Sequence, residues 1–260
     1  MLQFYLDAKG FNCYTDTLVV LGDIVDRGLY SRQILQYLSN MPHLIAVKGN
    51  HDVRTLDIVL GKDMPASYDK SNGVGATIAS FLGLEPEDIN PSQLYLYWQV
   101  MDTDRQYNSD LGHNIALFAK YMRQAVWGIE FPDLIAVHGW LPNRNGQLLN
   151  PQTATKDQWI DATWADTQQL IEQKAFPSKR LLVGHWHSWR LRKYFADHIT
   201  DIERWANQRS DAELLDQIDF TTFEQPEYIA IDGCTNFSNM VNVYVYETDA
   251  EPILYGERRE

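Results

Sequence analysis

Four short apolar runs in this chain each end in residues able to bind a divalent metal. Thr17-Leu18-Val19-Val20-Leu21 leads into Gly22-Asp23, and Leu44-Ile45-Ala46-Val47-Lys48 into Gly49-Asn50-His51-Asp52. Leu134-Ile135-Ala136-Val137 leads into His138-Gly139, and Leu181-Leu182-Val183 into Gly184-His185-Trp186-His187. Runs this short, rich in branched side chains and closed by glycine or a polar residue, read as buried strands. Helical patterns alternate with them, so the chain reads as an α/β protein. In such sheets ligands gather at the carboxyl edge of the strands, and Asp, Asn and His are hard oxygen and imidazole ligands for divalent ions.

Each piece alone has a plainer reading. Gly-Asp after a strand is commonly a turn. Asp26-Arg27 suits a surface ion pair worth about 0–1 kcal/mol, and Gly-Asn-His-Asp suits a helix cap. The repetition argues for metal chemistry, because independent turns do not end so consistently in metal-competent residues.

The bulk properties suit one soluble enzyme. A chain of 260 residues can form one large domain, and we read a single domain over residues 1–260, with 53–130 a mostly helical insertion. The net charge of −13 opposes a nucleic-acid partner, which needs a Lys/Arg surface. It also means that any phosphorylated substrate must find its positive charge within the site. No apolar stretch reaches transmembrane length, and the first residues lack the basic start and long apolar core of a signal peptide. Cys13 and Cys234 suggest no disulfide framework and fit a reducing compartment. No membrane partner and a cytoplasmic location are expected.

The spacing of Leu2, Tyr5 and Leu6 predicts a helix ending near Gly10. Another is predicted over Tyr30 to Ser39 with Ile34, Leu35 and Leu38 inward. Asn90-Pro91-Ser92 reads as a helix start, Ile115 to Val126 as an amphipathic helix, and Ser210-x-x-Glu213 as a capping box. Strands are predicted at Tyr228-Ile229-Ala230-Ile231 and, from alternation, over Val241 to Tyr246. Trp140, Trp186 and Trp189 flank the candidate ligands. They suit core packing better than stacking on a nucleobase.

The motifs Gly22 to Gly28, Gly49 to Asp52, His138-Gly139, Gly184-His185 and Asp232-Gly233 stand in the order of the calcineurin-like metallophosphoesterases. Most of the chain resembles that superfamily, closest to the serine/threonine protein phosphatases of bacterial and phage type. A fainter likeness runs through Asn72-Gly73 and Ala76-Thr77-Ile78-Ala79-Ser80. The resemblance implies a β-sandwich of two packed mixed sheets flanked by helices. It implies two divalent ions (manganese, iron or zinc) whose bound hydroxide attacks phosphorus.

Carried over residue by residue, it makes Asp23 the bridging ligand, and Asn50, His138 and His185 ligands of one metal. His187 matches a ligand of the other metal in the wider superfamily. His51 matches the general acid, a role typically worth about 10²–10⁴-fold. Asp26 matches the carboxylate that orients it, and Arg27 a phosphate clamp. The substrate implied is a phosphoprotein. A dinucleoside polyphosphate or other small phosphoester is the alternative, and an inactive fragment that keeps the fold for binding is a third. The family's Gly-Asp-x-His-Gly block is absent, as is an Arg near Ala162-Thr163-Trp164-Ala165-Asp166. We expect the missing block on a strand encoded upstream of Met1. The chain as given should then show an open strand edge near Val19 and Leu21, and at most one well-formed metal site.

Overall fold

The computed structural model describes residues 1–90, 93–104, 109–195 and 218–256. Within them the chain divides into two compact units. Helix α1 (Leu2–Ala8) belongs to the unit of Met1–Phe11 and Gly128–Tyr255. Asn12–Trp127, with the tail from Gly256, forms the other.

In the Asn12–Trp127 unit, β1 (Leu18–Val20) and β2 (Leu44–Ala46) pair in parallel, Leu18 opposite Leu44 and Val20 opposite Ala46. Among the described residues β1 pairs with β2 and with no other strand. The connection between them is α2 (Ser31–Ser39), which buries Leu35 and Leu38 while Ile34 stays half-buried. β2 runs into α3 (Asn50–Val59), and the chain continues helically through α4 (Ser67–Asn72), α5 (Val74–Phe81), α6 (Leu94–Asp104) and α7 (Ser109–Gln124). The amphipathic helix predicted from Ile115 thus begins earlier and ends at Gln124. Pro91 and Ser92 of the predicted helix start lie outside the described residues.

α5 is the keystone of this unit. It is apolar nearly all round, so α2, α6 and α7 pack against it and all eight of its residues are buried. Its hydroxyls, Thr77 and Ser80, are fully buried and therefore need partners. Ser80 Oγ accepts the Arg32 backbone N–H at 2.9 Å, and Thr77 turns toward the loop after β1.

The other unit is built on a six-stranded mixed sheet. Its central strands are β4 (Leu134–Val137), β7 (Arg180–His187) and β9 (Tyr228–Asp232), all parallel. Their near-continuous Leu/Ile/Val/Ala runs are buried, as strands covered on both faces require. β3 (Gly128–Glu130) flanks β4, and β8 (Phe223–Glu224) flanks β9, each antiparallel. A hairpin of β5 (Asn143–Arg144) and β6 (Gln147–Leu148) turns at Asn145-Gly146, both at positive φ. Helices α8 (Lys156–Thr163) and α9 (Thr167–Glu172) precede β7, and α10 (Ser188–Phe195) follows it.

The predicted strand over Val241 to Tyr246 is not one. Asn242 Nδ2 donates to the Phe220 and Ile231 carbonyls, and the Tyr246 hydroxyl donates to Asp133. Side chains, not a backbone ladder, fasten this segment. The sixth strand is β10 (Ile253–Tyr255), antiparallel to β3. The Ser210-x-x-Glu213 box lies outside the described residues. Among the described residues no helix is long and apolar enough to cross a membrane.

Candidate active site

The loop from Gly22 to Gly28 follows β1 and winds through left-handed backbone. Gly22, Asp23, Asp26 and Arg27 have φ of 81°, 55°, 71° and 58°. Non-glycine residues adopt this region rarely, and such residues concentrate where side chains must be aimed. Here the winding puts Asp23 beside the start of α3, turns Asp26 inward and leaves Arg27 exposed.

Gly-Asn-His-Asp opens α3, so the helix-cap reading and the functional reading both describe it. Gly49 is the N-cap, and Asn50 and His51 form the first turn, both buried. A Cβ on Gly49 would sit 2.2 Å from Asp23 Oδ1 and 2.3 Å from its nitrogen, so only glycine lets the two loops approach. The Asp23 carboxylate accepts the His51 backbone N–H at 3.0 Å, a favourable place for an anion at a helix start.

Asp52, whose residue type alone points to no more than a helix cap, ties these loops together. It is fully buried, and its carboxylate accepts the backbone N–H groups of Asp23, Ile24 and Gly49 at 2.8, 2.9 and 3.0 Å. Its signal in the sequence was an acidic residue at the third position of a helix, where carboxylates reach back to the cap.

His51 Nδ1 lies 2.8 Å from Asp26 Oδ2, and Arg27 Nη2 lies 3.0 Å from His51 Nε2. Arg27 also donates to Asn72 Oδ1 at 3.4 Å. Gly73, at φ 89°, leaves room for this arginine, since a Cβ there would meet the Arg27 nitrogen at 2.3 Å. Burial pulls the His51 imidazole down, but the Asp26 hydrogen bond and the charges of Asp23 and Asp26 prevail and raise it. Burial pushes the Asp26 carboxyl up, against the pull of His51 and the Thr55 and Thr77 hydroxyls. Asp26, His51 and Arg27 are thus brought together as an ordered line of side chains.

In the other unit His138 directly follows β4, and His185 lies within β7, which runs past Val183 to include His187. The Gly184 and His185 backbone N–H groups donate to the His138 carbonyl at 2.8 and 2.9 Å. Those bonds bring His138 Nε2 within 3.2 Å of His185 Nδ1. Two nitrogens each about 2.1 Å from one ion, at 90–110° to each other, stand about 3.0–3.4 Å apart. The imidazole pair therefore fits a shared divalent ion, and a carboxylate and an amide oxygen would complete a donor set suited to manganese, iron or zinc.

His187 is half-buried opposite Asp232, its Nε2 3.6 Å from Asp232 Oδ2, beyond a register shift in the β7–β9 ladder. Its ring stacks on Trp189. Trp189 and Trp140 are core residues. Trp189 packs with Phe220 and Cys234, while Trp140 donates to the Ala175 carbonyl and lies among Phe176 and Tyr228.

A model of the calcineurin-like phosphoesterase family matches residues 6–222, a stretch that holds every candidate residue from Asp23 to His187. No curated protein matches the chain closely enough to name as a relative.

Proposed function

This chain belongs to the calcineurin-like phosphoesterases, a family of metal-dependent phosphoester hydrolases, and from that premise we propose that it is a phosphoprotein phosphatase of serine/threonine type. By the family likeness, Asp23, Asn50, His138 and His185 match the ligands of one divalent ion, and His187 matches a ligand of a second. Such ions, when bound, supply an activated water and neutralise phosphoryl oxygens. Manganese, iron and zinc all suit these donors.

The observation that carries the reading is the Asp26–His51–Arg27 line. Asp26 fixes His51 through Nδ1, and Nε2, which here accepts from Arg27 Nη2, is the nitrogen that carries a proton to the departing alkoxide once Arg27 turns to the phosphoryl group. Arg27, exposed at that same nitrogen, has the planar fork that recognises a phosphoryl group. Its approach to Nε2 gives the phosphate and the acid a common address. The family match runs through both compact units, which supports treating residues 1–260 as one catalytic domain. A cytoplasmic location is part of the same proposal.

A dinucleoside polyphosphate is the alternative substrate, and tryptophans beside the candidate ligands would suit it by stacking on a base. Trp140 and Trp189 are committed to the core, so the phosphoprotein reading comes first. Purified protein with manganese should release phosphate from a phosphoserine peptide, and a chelator should abolish the release. Turnover of diadenosine tetraphosphate with none of the peptide would instead establish the small-molecule reading.

A further inference from the structure

The Asp26 carboxylate is more elaborately held than its partnership with His51 requires. Thr55 Oγ1 donates to Oδ1 at 2.9 Å and reaches Oδ2 at 3.1 Å. Thr77 Oγ1 donates to Oδ1 at 3.1 Å and accepts the Asp26 backbone N–H at 2.9 Å. Ser31 Oγ stands 3.2 Å from Thr77 Oγ1. Ser31, Thr55 and Thr77 are all buried.

A hydroxyl has one proton and two lone pairs, which fixes the directions. Thr77 gives its proton to Asp26 and accepts from the Asp26 N–H, so Ser31 donates to Thr77. Every site on Thr77 is then used. Among the described residues the Asp26 side chain meets donors: the two threonine hydroxyls and His51 Nδ1–H. That selects an acceptor-only carboxylate with Nδ1–H toward it, and turns Nε2 toward Arg27 and the leaving group. The bond from the Asp26 N–H also pins its backbone at φ 71°. Thr77 comes from α5, Thr55 from α3 and Ser31 from α2, so three helices aim one carboxylate.

We propose that Thr77, backed by Ser31 and assisted by Thr55, is a positioning residue for catalysis: its hydroxyl fixes Asp26 so that His51 presents Nε2 to the leaving group. The proposal rests on the reading of His51 as general acid. Removing the hydroxyl leaves the His51 ring less well aimed, without touching a metal ligand or the phosphate clamp. The loss should therefore appear in proton delivery and not in substrate binding.

The test compares T77V, T77S, T55V and H51N on p-nitrophenyl phosphate, whose leaving group needs little acid help, and on a phosphoserine peptide, whose leaving group needs it. T77V should keep its metal content and both KM values. Its kcat should fall about 10–100-fold on the peptide, the usual cost of losing such a supporting partner, and less than about threefold on the nitrophenyl ester. T77S should restore most of the peptide rate, and T55V should show the same discrimination. Equal losses on both substrates, or T77S as impaired as T77V, would overturn the proposal. If T77V does not fold by circular dichroism, T77S and T55V decide, and T55V without discrimination overturns it. H51N separates the two levels. Without substrate discrimination in H51N the general-acid reading itself fails, whereas discrimination in H51N but not in T77V and T55V removes only the threonines.

Discussion

The Asp52 carboxylate accepts the backbone N–H of Asp23 at 2.8 Å. The same oxygen accepts the Gly49 N–H at 3.0 Å. One buried side chain therefore joins the turn after β1 to the turn after β2 and fixes their separation.

This predicts the behaviour of Asp52→Asn. The amide keeps one acceptor oxygen but presents a donor where backbone N–H groups already point. Leaving buried groups unpaired costs about 1–3 kcal/mol each, so the variant should be destabilised by about 2–4 kcal/mol. Affinity for manganese should fall about 10–100-fold, as when supporting partners of metal ligands are lost. Denaturant melts and metal titrations measure the two effects. Unchanged manganese affinity would show that Asp52 does not organise the ligand loops.

Gly49 and Gly28 give a contrasting pair. Gly49→Ala places a methyl 2.2 Å from Asp23 Oδ1 and 2.3 Å from the Asp23 nitrogen, and neither the loop nor the helix start can move alone. At Gly28 the nearest atom to an added Cβ is the Asp26 carbonyl oxygen at 3.8 Å, an ordinary contact. G49A should lose about 1–3 kcal/mol of stability, as overpacked sites do, and most of its activity. G28A should melt within about 0.5 kcal/mol of the parent. Equal stability of the two variants would contradict the close-approach account of Gly49.

The strand ends were legible because burial and chemistry use different residue types. Leu, Ile and Val mark the strands, and a switch to Asp, Asn or His marks where each stops being core. The same logic failed at Val241 to Tyr246, where alternation is present but Asn242 and Tyr246 bond through their side chains. The cradle of Asp26 was invisible for another reason. Ser31, Thr55 and Thr77 are common residues far apart in the chain, and their role exists only once α2, α3 and α5 have packed. Nor does residue type alone announce the left-handed backbone of Asp23 and Asp26, whose N–H groups are held by Asp52 and Thr77.

Glu130 supplies a pH prediction. Lys179 Nζ lies 2.6 Å from its Oε1, and with the Tyr255 hydroxyl it holds the Glu130 carboxyl below its ordinary 4.5. A carboxylate depressed in the folded state contributes stability that is present above its unfolded value and lost as pH falls through the folded one. The pair is partly exposed, so the contribution is about 0.5–1 kcal/mol. Glu130→Gln should therefore melt below the parent near neutral pH. The gap should close as the pH drops below about 4.5, and it should shrink in high salt. A gap that persists unchanged at low pH would mean that packing at β3 and β10, not charge, makes the difference.

His138 and His185 supply the last. Their nitrogens stand 3.2 Å apart on strands locked by two backbone bonds to the His138 carbonyl. The pair stands at the spacing that two ligands of one ion require. A ligand that binds only the folded state stabilises it by about 2.7 kcal/mol at a hundredfold excess over its Kd. Manganese or zinc should accordingly raise the melting temperature of the parent. His185→Ala removes one donor and leaves the β7 backbone intact, so it should fold but lose most of that rise. His113→Ala, on the polar surface of α7, should keep it. A metal-dependent rise that survives His185→Ala would place the ion elsewhere, and no rise in the parent at millimolar metal would remove the imidazole pair from consideration as a metal site.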